Sequence, residues 1–492
     1  MKRRTFLQAA GFSTLAAANF QAFGIMPSSQ VSRFTRNKLD GLTIDTKPLS
    51  PQKIPQIINI FLYGGPSELA GNLTNIEQIR ADSKGPYPEN FVKNTSNSAI
   101  TPNDFWRDAG GQIMEDLLAA KQMSLYRTIN RLEEDNKAHG RSVLQNLKGH
   151  VDPSYPGIAT TVAHLLTINN PFDKPVELLS FPIISLEGES PVFDLAEVNI
   201  PNALKPVAIN PVPFAGKIQN PYAHADNPAL VGHLEEQKKL NALALDTLTR
   251  NRRFIAINDA FERRATLAEN VNRFLNISNI DNTIAQYNQS LANDQQIQYN
   301  EDNFGHRLKI ATSLALANPE TVYISVGSGG LGGWDDHSNA LGVFPMRLEK
   351  LMQAVQAAMR HINSAKQAGI AHAGNIIINI YGDFGRNVNI NSANGWDHGN
   401  NQNLYTFGGE NIRGASALGK IIGSTIKVGP SKDNRQYTTP SNNSYQCEPF
   451  AIAASTYQYF GVQNPDVLTG VAAVDESQPS ERLANGLTQR QG

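Results

Sequence analysis

Eight residues, GGWDDHSN at 332–339, gather two glycines, a tryptophan, two carboxylates and an imidazole. Asp and His supply the oxygen and nitrogen donors that divalent metals take, and glycine lets the backbone come close to other groups. In an extended segment alternate side chains face the same way, so Asp335 and His337 can address one metal ion while Asp336 faces the other side. A second stretch, GWDHGNN at 395–401, sets Asp397 and His398 between Gly395 and Gly399 in an Asn-rich loop. Drawing imidazoles and carboxylates from different loops is the usual way to assemble an oxygen and nitrogen metal site. A third stretch, YGDFGR at 381–386, puts Asp383 just after an apolar run and Arg386 where its planar guanidinium can meet an anion. Each stretch also has a plainer reading. Ser338 or Asn339 can cap a helix that starts at Ala340, Asp397 can form a turn with His398 hydrogen-bonded in its loop, and Arg386 can be a surface residue beside a turn. Trp334 and Trp396, each directly before a candidate ligand, can pack inside or offer a stacking face.

The elements that would hold these loops are legible around them. IPQIINIFLYGG at 54–65, TVYISVGSGGLGG at 321–333 and NIIINIYGDFG at 375–385 each read as a strand buried on both faces, with glycine after it. The last two are preceded by helical patterns at 304–318 and 343–369. Strand, helix, strand implies right-handed crossovers and a mostly parallel sheet, hence an α/β fold. Ligands in such sheets bind beyond the carboxyl ends of the strands, where GGPSEL, GGWDDHSN and GDFGR all fall. Residues 228–300 have helical period with charged faces and read as a helical insertion, and 150–224 as loop-rich with short strands. Residues 25–53 read as a linker or wrapped arm, 54–473 as the α/β domain, and 474–492 as a polar, loose tail.

With 43 Lys and Arg against 44 Asp and Glu, the 492-residue chain has a formal charge of -1, and no basic field argues for nucleic acid. A single cysteine, Cys447, excludes an internal disulfide or a thiolate cluster, so a metal here must use oxygen and imidazole. Residues 1–24 pair Arg3 with Arg4 ahead of a short Ala-rich apolar run that closes on Ala22 and Gly24. That is the layout of a twin-arginine signal, so the twin-arginine export machinery is an expected partner and the periplasm or the exterior the expected location. No other run approaches the roughly eighteen apolar residues of a membrane span, so no transmembrane anchor is expected.

GGPSEL, YRTIN followed by AHGRS, GGWDDHSN, YGDFGRN and GWDHGNN resemble, in this order, the bacterial family catalogued as domain of unknown function 1501. The resemblance is strong over about 303–462 and thinner over 54–150. That family is similar to the alkaline phosphatase and sulfatase superfamily. The likeness implies a three-layer fold with helices on both faces of the sheet and an activity toward a phosphate or sulfate ester, of a small molecule or a glycan. It makes Ser142, in HGRSVLQNLKG at 139–149, the nucleophile candidate at a helix N-terminus, with Arg141 or Arg127 near the anion and His139 placed to orient the segment. Ser142 can equally be a helix-capping serine. The chain departs from the superfamily at Tyr63, Gly64 and Gly65, which stand where a ligating Asp would end the first strand, and at Phe384, which follows Asp383 where a His would. Two ligands of a second metal are therefore missing, unless Ser67 or Glu68 substitutes. The remaining set of Asp335, His337 and His398, with Asp397 and Asp383 as further candidates, implies one divalent ion, zinc, manganese or calcium, with an open position. Two alternatives stay open: a degenerate member of the fold that binds an envelope glycan or partner protein, and a set of loops that Asp335, His337, Asp397 and His398 merely tie together.

Overall fold

Continuous apolar runs make the strands at the centre of the molecule. The computed structural model describes residues 23–25, 37–73, 105–134, 137–209, 277–427, 438–441 and 443–481, with single positions between them such as Tyr87. The region 1–22, most of the expected helical insertion and residues 482–492 lie outside the described residues. In chain order the strands are β1 (Phe23–Ile25), β2 (Gln56–Leu62), β3 (Met123–Asn130), β4 (Ile183–Ser185), β5 (Val207–Ile209), β6 (Tyr323–Gly327), β7 (Ile376–Gly382), β8 (Gly385–Ile390), β9 (Trp396–Gly399), β10 (Asn401–Gly408) and β11 (Ile421–Ile422), followed by a small antiparallel pair, β12 (Thr425–Lys427) and β13 (Thr438–Pro440). Nine of them form one sheet in the order β1-β5-β4-β6-β2-β7-β10-β3-β11, and β8 pairs with β9 as a separate hairpin. Within the nine-stranded sheet β1 and β10 run antiparallel to their neighbours, and the other strands are parallel.

Alternation explains why β2 is mostly apolar, with only Gln56 and Asn59 polar. Ile58, Ile60 and Leu62 enter one core, Ile57 and Phe61 the other, and all five are buried. Each contributes about 2 kcal/mol by leaving water, so a polar residue on either face would cost stability. Helices cover both faces. They are α1 (Gly111–Ala119), α2 (His139–Lys148), α3 (Ile158–Ile168), α4 (Ile277–Asn288), α5 (Asn303–Ala317), α6 (Ala340–Gln367) and α7 (Ala451–Tyr459). α1, α5 and α6 pack on the Ile58 side, and α2, α3 and α7 on the Phe61 side. This is a mixed α/β fold around a large, mostly parallel sheet. No helix among the described residues is long and apolar enough to cross a membrane.

Register aligns the strand ends that matter. Phe61 of β2 lies opposite Gly327 of β6 and Tyr381 of β7, so the loops after all three strands leave from one edge. β3 runs the same way and delivers the start of α2 to that edge. The sheet is mostly parallel, as the sequence implies, and the exception at its centre is β10, inserted antiparallel between β7 and β3. A short return through the β8–β9 hairpin leaves no room for the crossover that a parallel strand needs. The tail also differs from expectation, being tied down from Val474 to Glu481. Arg413 Nε donates to Glu476 at 2.6 Å, Lys420 Nζ donates to the Gln478 carbonyl at 2.8 Å, and the Glu481 N–H donates to the Ile421 carbonyl at 2.6 Å.

Candidate metal centre

Four side chains meet where these loops converge. His139 is the first residue of α2, Asp335 and His337 lie in the loop between β6 and α6, and His398 sits on β9. One donor atom from each lies within 4.8 Å of every other. His398 Nε2 is 3.0 Å from both His139 Nε2 and His337 Nε2. Asp335 Oδ1 is 3.2 Å from His139 Nε2, 3.0 Å from His337 Nε2 and 3.5 Å from His398 Nε2. Donors around a tetrahedral zinc, at about 2.0–2.1 Å from the ion, stand roughly 3.3 Å apart. The five spacings given, 3.0 to 3.5 Å, lie near that value.

The far side of each ring is held, and this decides what the near side presents. His398 Nδ1 is 2.7 Å from the Lys137 carbonyl, which can only accept, so the proton is on Nδ1 and the neutral ring aims the Nε2 lone pair into the cluster. His139 Nδ1 is 2.6 Å from Asp383 Oδ2, and His337 Nδ1 is 3.3 Å from Asp397 Oδ1. Carboxylates and carbonyls behind imidazoles are the usual orienting partners of metal ligands. Three nitrogen lone pairs and a carboxylate oxygen brought this close repel one another unless a proton or a cation lies between them. The residues therefore fit a divalent ion. The Asp383 hydrogen bond holds the His139 imidazole above its usual range, outweighing partial burial, while burial followed by the Arg386 charge holds His398 below it. Burial alone would raise the Asp335 carboxyl, but the hydrogen bond and charge of Arg386 bring it below the usual carboxylate range.

Arg386, expected to meet an anion, is committed elsewhere. Its side chain has no exposed surface. Nε donates to the Gly65 carbonyl at 2.6 Å and Nη1 to the Trp396 carbonyl at 3.1 Å. Nη2 donates to the Trp334 carbonyl at 3.0 Å, to the Gly64 carbonyl and to Asp335 Oδ1 at 2.6 Å. One guanidinium thus clamps three loops and orients the Asp335 carboxylate. The clamp needs Gly64 and Gly65: a Cβ at Gly64, whose φ is +117°, would lie 2.5 Å from the Asp335 nitrogen, and one at Gly65 would strike the Phe384 ring at 2.7 Å.

The remaining candidates divide. Ser142 is fully buried in α2, so it does not face an ester arriving from solvent, and it is His139 that this helix sends into the cluster. Asp383 is also wholly buried, with Oδ1 accepting the Gly64 N–H at 3.2 Å. Asp383 and Asp397 thus stand behind imidazoles, outside the four converging donors. Arg127 is buried in β3 and donates to the Gly423 carbonyl at 2.6 Å, and Arg141 is exposed and paired with Glu134 at 2.7 Å. Phe384 sets its ring, tilted, 4.6 Å from His139 and 4.5 Å from His398, placing hydrocarbon rather than a donor beside both imidazoles. Trp334 and Trp396 are completely buried on either side of Phe344, so neither offers a stacking face. Asp336 turns inward to Arg347, at 3.1 Å. The helix α6 has no side-chain cap; its start is met by loop carbonyls of Ala393 and Asn394. Sequence reasoning missed the carbonyl of Lys137, because a backbone acceptor leaves no trace in residue type.

None of the curated proteins matches the chain. The model of the family described as "Protein of unknown function (DUF1501)" matches residues 54–465, and the chain belongs to that family.

Proposed function

We propose that this protein is an exported, metal-dependent hydrolase of phosphate or sulfate esters, built on an alkaline phosphatase-like fold and working with one divalent ion. The convergence of three Nε2 atoms on Asp335 Oδ1 at a solvent-facing edge carries the proposal. Three imidazoles in a set of four favour zinc or manganese over calcium, which takes oxygen. A divalent ion in such a site acidifies bound water and polarises an ester oxygen. The chain's own residues do the rest. Asp383, Asp397 and the Lys137 carbonyl fix the imidazole orientation, and Arg386 holds Asp335 ionised and in place. With Ser142 buried, the attacking group is water rather than the serine. The paired Arg3 and Arg4 ahead of an apolar run support export.

A second reading is favoured by two observations, the burial of Ser142 and the phenylalanine against two imidazoles. In that reading the centre binds an envelope glycan or a partner protein without turnover. The test is metal content by plasma mass spectrometry on the purified chain and on His337→Ala and His398→Ala, with circular dichroism to confirm folding. Near-stoichiometric zinc or manganese, lost in both variants, is the expected result and leads to ester screening. Folded wild-type protein that stays metal-free after incubation with these ions sinks the hydrolase reading.

A further inference from the structure

We infer that the centre selects singly charged esters, sulfate monoesters or phosphate diesters, over the dianion of a phosphate monoester. The inference rests on the ester reading above and follows from charge and donors at the cluster. Among the described residues, the charged side chains that touch the four donors or their rings are three carboxylates, Asp335, Asp383 and Asp397, and one guanidinium, Arg386. A divalent ion adds two positive charges and Arg386 one, so the three carboxylates balance the assembly to zero. A neutral centre pulls a dianion in no more strongly than a monoanion, while the dianion gives up far more hydration on entering.

Donors are also short among the described residues. A phosphate monoester dianion spreads its charge over three terminal oxygens, and sites that hold it add arginine forks or further metals. Here all three nitrogens of Arg386 already donate, four of their five acceptors being backbone carbonyls. Arg141, the exposed arginine on α2, is held by Glu134 at 2.7 and 3.1 Å. Arg131, beneath Asp383, gives its donors to Gln145, Asn146 and the Asp383 and Glu134 carbonyls. Lys137 offers the cluster its carbonyl. The open side carries the opposite sign: the Asp335 and Asp397 side chains are 46% and 59% exposed, so a second negative charge on the ligand meets them as it arrives. A sulfate monoester or a phosphate diester brings only one negative charge, and the ion itself can take it.

Calorimetry on the zinc-loaded protein tests this at low salt and pH 8, where methyl phosphate is doubly charged and methyl sulfate and dimethyl phosphate are singly charged. Each monoanion is expected to bind about tenfold or more tightly than methyl phosphate. Turnover of 4-nitrophenyl sulfate against bis(4-nitrophenyl) phosphate then tells which of the two ester types is processed. Methyl phosphate binding as tightly as the monoanions, or more tightly, overturns the charge selection and leaves the hydrolase reading intact. A zinc-loaded protein that binds none of the three overturns both.

Discussion

Two arginines without exposed side-chain surface stand at opposite edges of the sheet. Arg386, at the edge where β2, β6 and β7 end, spends its donors on carbonyls of three loops and on Asp335. Arg413, just past β10 and so at the other edge, donates to Glu476 at 2.6 Å and to Thr406 at 2.9 Å, pinning the C-terminal segment. Beside Arg413 lies a cavity of about 790 Å³, lined also by Lys47, Lys53 and Glu476. It is roomy, yet among the described residues nothing in it gathers a set of His and carboxylate donors at one point. The edge that carries His139, Asp335, His337 and His398 does so. Convergence of donors, and not volume, marks the chemical edge of this molecule.

That contrast breaks most visibly by removing each clamp. Arg386→Met leaves four loop carbonyls short of a donor, at about 3 kcal/mol, and frees Asp335 to swing, so metal content is expected to collapse together with stability. Arg413→Met leaves Glu476 without its cation, with only the Tyr459 hydroxyl still donating to it at 2.6 Å, and should cost a similar amount, while the metal stays. Urea unfolding and metal analysis on both variants measure this. Full metal occupancy in the Arg386 variant would show that the clamp is scaffolding alone.

A smaller effect separates the rings within the cluster. Asp383→Asn removes the carboxylate behind His139 and lets the ring adopt its other tautomer. Metal affinity is expected to fall about 10–100-fold without loss of fold, as read by competition with a chromogenic chelator. The same change sets the sign of a pH effect in the metal-free chain. His139 has a folded pKa above its usual value near 6.5. Its contribution to stability is therefore complete below about pH 6.5 and is lost as pH rises through the elevated value. His398, held low by burial, works the other way: its neutral state is favourable above about pH 6.5, and that advantage goes as pH falls through its depressed value. Proton NMR of the imidazole signals should order the two titrations with His139 above His398, and Asp383→Asn should lower the His139 midpoint toward the ordinary range. Coincident midpoints in the unaltered chain would contradict the assigned partners.

Side-chain chemistry made part of this arrangement readable in advance. The apolar runs of β2, β6 and β7 and the periods of α5 and α6 are read from residue type, because burial on two faces or one stripe leaves few alternatives. Alternation in an extended loop was enough to separate Asp335 and His337 from Asp336. β10 escaped because its opening residues, Asn401, Gln402 and Asn403, are polar yet buried, paired through contacts no period encodes. His139 drew attention only as a neighbour of Ser142; that its imidazole reaches His398 depends on where β3 delivers the start of α2. Arg386 looked available for an anion because its true acceptors are backbone carbonyls, which every residue carries.

The weakest expected effect concerns the arginine left on the surface. Arg141 lies two residues after His139 on the same helix, and proximity alone would recruit it to an incoming anion. Its side chain is 47% exposed and held by Glu134, a pair that solvent screens. Arg141→Gln is expected to change stability by less than about 0.5 kcal/mol and to leave metal content unaltered. Because the pair is neutral before substitution, the variant exposes Glu134 and adds one negative charge near the mouth, so affinity for methyl sulfate should weaken by no more than about threefold, and less in high salt. A loss of tenfold or more would mean that Arg141 leaves Glu134 to grip the ligand. The chemical edge would then own a mobile cation, and its neutrality would no longer distinguish it from a phosphate-binding site.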